Sequence, residues 1–96
     1  MKSDIEEFLM HLATERGLSE RYQLLVQYSL DIFLGWVEKN TPVRDWQSVE
    51  QTQITDFPIF RKRSGLQASS VRLDAVAIRI FFRFLTARRA WPSNPA

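Results

Sequence analysis

Cationic side chains are the residues of this chain with chemistry to offer. Arg72, Arg79 and Arg83 recur within residues 69–85, and Arg61-Lys62-Arg63 stand a short turn ahead of them, beside the hydroxyls of Ser69 and Ser70. Guanidinium and ammonium groups, hydroxyls and the free amides of a helix start are the donors that hold phosphate oxygens, so the set suits a polyanion. It does not suit bond breaking. With no Cys and a single His, His11, the chain has neither a thiolate nor a cluster of metal ligands. It contains no P-loop, no H-E-x-x-H and no carboxylates paired as in a hydrolase, and no cofactor is expected.

The formal net charge of +2 conceals a division along the chain. Residues 1–60 hold five basic against ten acidic residues, whereas residues 61–96 hold eight basic residues against Asp74 alone. Such asymmetry points to a polyanionic partner for the second half, or to two halves that neutralise each other within the fold. A content of 45% apolar and 12% aromatic residues over 96 positions gives one small domain with a single core and excludes disorder. No apolar run approaches the ~18–20 residues of a membrane span. Met1-Lys2-Ser3-Asp4 leads into an acidic helix rather than a signal peptide, and the lack of Cys fits a reducing compartment, so a cytoplasmic protein without membrane contact is expected.

The element that must carry the arginines is a helix over residues 69–85. At 100° per residue, with Val71 at 0°, Ala75, Ile78, Phe82 and Leu85 fall within about 40°, while Arg72, Arg79 and Arg83 fall near 80–120°. Ala77, Phe81 and Phe84 widen the apolar arc, so neighbours must cover most of this helix and the open side is the arginine side. Three arginines on one line also describe an ordinary solvated face.

The rest of the chain supplies the cover. Ser3-Asp4-Ile5-Glu6 reads as a capping box opening a first helix that keeps Ile5, Phe8, Leu9, Leu12 and Ala13 to one face and stops at Arg16-Gly17. Ser19 caps a second, long helix running to Lys39-Asn40, with Tyr22, Leu25, Val26, Leu30, Ile32, Phe33, Trp36 and Val37 on one broad face. Arg21 stands near its N-terminus, where free amides can also receive a phosphate. Residues 41–51 read as an ordered loop pinned by Trp46. A short third helix, about 53–63, buries Ile54, Phe57, Ile59 and Phe60; Pro58 places its regular start at Thr55 or Asp56, unless Thr52 caps a longer, kinked helix. Gly65 suits a left-handed stop after the three cations, which a helix C-terminus favours even without a ligand. Ser69-Ser70 then cap the arginine helix, and Pro92 and Pro95 forbid helix beyond it.

The succession Gly65-Leu66, Ser69-Ser70, Ala77-Ile78-Arg79, Phe81-Phe82, Phe84-Leu85 and Asn94-Pro95-Ala96 resembles the end of the N-terminal core-binding domain of tyrosine recombinases, the Xer recombinases and phage integrases. Ile5-Glu6-Glu7-Phe8-Leu9, Gly17-Leu18-Ser19, Leu30 and Trp36 resemble the first two helices of that domain, whereas Tyr22, Val26, Gln27-Tyr28 and Ser29 depart from the residues common there. The resemblance implies an all-α, four-helix SAM-like bundle over residues 1–91, with 92–96 beginning a linker to a C-terminal catalytic domain. It implies that helices two and four face duplex DNA, which makes Arg21, Tyr22, Arg61, Lys62, Arg63, Ser69, Ser70, Arg72, Arg79 and Arg83 the candidate contacts. The family's strand-cleaving Tyr, Arg, His and Lys belong to the catalytic domain, which no part of this chain resembles; Tyr22 and Tyr28 are helical residues without such partners, and no catalysis by this chain alone is expected. Double-stranded DNA and, in the full-length protein, other recombinase subunits are the expected partners, with the isolated domain a monomer. The alternative is a helical adaptor whose basic surface meets an acidic protein.

Overall fold

The computed structural model describes residues 1–15 and 17–96. The chain folds into four helices, α1 (Lys2–Leu12), α2 (Glu20–Asn40), α3 (Gln51–Arg63) and α4 (Ala68–Arg88), with a 3-10 turn at Trp46–Ser48 between α2 and α3. Among the described residues there is no strand, so the all-α, four-helix expectation holds. Helix α4 touches each of the other three, which is why its apolar arc must be so wide. No helix among the described residues is long and apolar enough to cross a membrane.

Helix α2 starts where its sequence dictates: the Ser19 hydroxyl accepts the Tyr22 N–H at 3.1 Å. It ends at Asn40 because Thr41 turns extended ahead of Pro42. Its apolar face meets Trp46, which is 2% exposed, stacks on Phe33 at 5.8 Å and stands edge-on to Phe81 at 5.0 Å. The Trp46 indole N–H donates to the Met1 carbonyl at 3.0 Å, so the loop is pinned as its sequence suggests. That bond also shifts the start of α1. The helix begins at Lys2 with Met1 as N-cap and no side-chain cap, instead of at a Ser3 capping box. The Lys2 ammonium, bonded to Asp31 on α2, helps draw the first turn out to Met1. At its other end α1 stops at Leu12. The expected cationic stop falls partly on Arg16, which lies outside the described residues; Gly17 takes φ +82°.

Helix α3 starts earlier than Pro58 suggests. Glu50 and Gln53 form a reciprocal capping box, with the Glu50 N–H donating to Gln53 Oε1 at 2.9 Å, and this fixes the start at Gln51. Pro58 therefore lies inside the helix and leaves the Ile54 carbonyl without its usual donor. The buried stripe becomes Ile54, Phe57 and Arg61, spaced three and four apart, while Ile59 and Phe60 turn outward at 49% and 42% exposure, against expectation. Gly65, at φ +90°, closes the helix: its N–H bonds the Lys62 carbonyl at 3.1 Å and the Leu66 N–H bonds the Arg61 carbonyl at 3.4 Å.

Two further corrections concern burial. On α4 the enclosed residues are Asp74, Ala77, Ile78, Phe81, Phe82 and Leu85, whereas Ala75 is exposed and Val71 only half-buried. The core arc thus centres near about 300° on the wheel used above, roughly opposite the arginine line. On α2, Leu25 is 39% exposed while Ser29 and Leu34 are buried. After Arg88 the chain leaves the helix, and Trp91 folds back half-buried with its N–H on the Thr86 carbonyl at 3.1 Å.

Candidate nucleic-acid interface

Arg72, Arg79 and Arg83 are exposed and form no ion pair among the described residues. At 1.5 Å rise per residue, about 10 Å separates the first two along the axis and about 6 Å the last two. Arg79 borders a groove shared with Pro58, Ala75 and Ala96. Arg83 borders a larger open groove, about 630 Å³, with Tyr22, Ile80 and Phe84. The helix-two candidate Tyr22 and the helix-four candidate Arg83 are thus brought to one surface. Arg21, next to Tyr22, is exposed and also free of ion pairs among the described residues.

Ser69 and Ser70 are not caps. Gln67 is the N-cap of α4 and offers no side-chain bond, so both serines occupy the first turn with exposed side chains and no protein partner among the described hydrogen bonds. Their hydroxyls project at the positive end of α4, a short turn from Lys62 and Arg63. Those two cations are exposed and free of ion pairs among the described residues.

Arg61 corrects the sequence expectation of three cations side by side on one surface. Successive helical residues point 100° apart, so one of three neighbours must face the bundle, and Arg61 follows Phe57 inward. It is 7% exposed, its Cζ lies 5.9 Å from the Phe57 centroid, and its Nε donates to Asp74 Oδ2 at 2.8 Å. The Ser29 hydroxyl donates to Asp74 Oδ1 at 2.7 Å, so the cluster joins α2, α3 and α4. The one signal for it was Asp74 itself, the single acidic residue after position 60, set among core residues of α4. A carboxylate there needs a cation.

Neutralisation between the two halves occurs, but at one end. Arg88 pairs with Glu7 and Arg89 with Asp4, joining the last turn of α4 to α1. Among the cations from residue 61 onward, those free of ion pairs among the described residues therefore lie at the α3–α4 corner and along the outer ridge of α4. Exposed apolar residues that sequence reasoning left unassigned are Met10 at 74% on α1 and, on α2, Leu24 at 63% and Tyr28 at 60%.

The family "Phage integrase, N-terminal SAM-like domain" matches residues 5–89. Among curated proteins, the chain is 31% identical over 96 residues to "Tyrosine recombinase XerC" of Escherichia coli O9:H4 (strain HS), of Escherichia coli (strain SE11) and of Escherichia fergusonii. In each case the match covers 100% of this chain and 32% of the relative, so the chain spans about a third of the length of these relatives. No solved structure matches the chain.

Proposed function

The chain belongs to the phage integrase N-terminal SAM-like domain family, and on that footing we propose that it is the N-terminal domain of a tyrosine recombinase and grips duplex DNA through backbone phosphates while a separate domain of the full-length protein cuts and joins strands. The carrying observation is the sorting of charge: Lys62, Arg63, Arg72, Arg79 and Arg83 stay exposed and unpaired among the described residues, whereas the cations at the far end of α4 are paired. Arg21 and Tyr22 extend the contact onto α2, and Ser69 and Ser70 offer hydroxyls at the start of α4. Because the other three helices cover the rest of α4, its open ridge would lie along the duplex with the arginines reaching backbone phosphates. Residues 92–96 would begin the connection to the catalytic domain, and other subunits would join on the DNA.

The test is a titration of a labelled random-sequence duplex at several salt concentrations. Dissociation constants of about 10⁻⁴–10⁻⁶ M are expected, with log affinity falling by about 0.9 per phosphate neutralised. Affinity that ignores salt would refute a phosphate grip. The exposed Leu24 and Tyr28 favour a second reading, a helical adaptor for an acidic protein. An NMR titration separates them: shifts confined to residues 20–23 and 61–79 with duplex support the first, and silence toward duplex supports the adaptor.

A further inference from the structure

The Arg61 guanidinium is used along one edge. Its Nε binds Asp74 Oδ2, while Asp74 Oδ1 is given to the Ser29 hydroxyl. A purely structural pair would more naturally mate both carboxylate oxygens with the arginine fork. Here Nη1 and Nη2 have no protein acceptor among the described hydrogen bonds. Neither is sealed, because Thr86 Oγ1 is the single buried side-chain polar atom without a partner among the described residues. The 9% of the Arg61 side chain that stays open therefore includes its Nη edge, on the residue that precedes the exposed Lys62 and Arg63.

We infer that Ser29 and Asp74 are positioning residues that aim the Nη edge of Arg61 at a phosphate oxygen of the duplex, making Arg61 a contact presented from within the fold. This rests on the DNA reading above. The rotamer freedom that a surface arginine loses on binding is already lost here on folding, so the contact is preorganised. Asp74 also cancels most of the distant field of Arg61, so the contact adds hydrogen bonds with little counterion release. Arg61 should therefore differ in kind from Arg79, which is exposed and uncompensated.

Affinity for a labelled random-sequence duplex, measured across salt for the 96-residue chain, separates these roles. R61K keeps a cation facing Asp74 but loses the fork. It should bind about five- to tenfold more weakly at every salt, with the slope unchanged. S29A should lose about two- to threefold alone and nothing further in the R61K background. R79A should flatten the slope by about one unit. R61K binding like the parent while R79A weakens overturns this inference and leaves the DNA reading standing; so does an equal S29A loss in both backgrounds. An R79A that also leaves binding untouched removes Arg79 from the contact, whereas a parent chain that shows no affinity for duplex sinks the DNA reading itself. Thermal melting checks that each variant folds. Should R61K unfold, side-chain NMR of the parent decides: Arg61 Nη signals that shift with duplex support the inference, and unmoved ones overturn it.

Discussion

Asp74 is the residue on which the inside and outside of this domain meet. Both members of its ion pair are enclosed, with side chains 9% and 2% exposed, so removing one leaves a bare charge in the core. Asp74→Ala should destabilise the fold by about 3–5 kcal/mol, read as a lower urea midpoint. Replacing the pair together, Arg61→Met with Asp74→Leu, should restore most of that stability, because desolvation offsets much of what the pair gains. On the surface the arithmetic differs. Arg88→Ala breaks a half-exposed pair with Glu7 and should change stability by about 1 kcal/mol or less in the same assay. The outer arginines were legible because side-chain period and hydropathy agree there. Arg61 was not, because a run of cations reads as surface and only tertiary packing tells which of three neighbours turns in.

Helix boundaries were legible where one side chain decides them. Ser19 and Gly65 act as read, since a hydroxyl on an amide and a positive φ are local events. Ser3 and Ser69-Ser70 mislead because the ends they seem to mark are set elsewhere: Met1 is held by Trp46, and α4 opens at Gln67 without a side-chain cap bond. Pro58 misleads because the Glu50–Gln53 box outweighs one lost hydrogen bond. Two glycines give opposite tests of this local logic. Gly35 lies inside α2 and a methyl group added there would meet nothing within 4 Å, so Gly35→Ala should raise stability by about 0.5–1 kcal/mol. Gly65→Ala forces a side chain into φ +90° and should lower it by about 1 kcal/mol or more, loosening the corner that presents Lys62 and Arg63. Denaturant titration of both variants checks the signs.

Across the whole molecule, one tryptophan links what the sequence keeps apart. Trp46 binds Phe33 of α2, Phe81 and Phe82 of α4 and the carbonyl of Met1. Trp46→Ala should cost about 3–5 kcal/mol, a large part of the ~5–15 kcal/mol that holds a domain of this kind. Its thermal transition should move sharply down and lose cooperativity. The four-helix arrangement followed from periodicity, but how the helices meet came from aromatic contacts that no linear pattern records. The pairing of Arg88 and Arg89 with Glu7 and Asp4 has a kinetic consequence. It leaves one end of α4 neutral and the other strongly positive, so charge is graded along that helix. Within a Debye length of a charged rod, about 8 Å at physiological ionic strength, that gradient would turn the domain before any atom touches. Encounter rates, and not lifetimes alone, should then drop when Lys62 and Arg63 are changed to glutamine and the gradient is weakened.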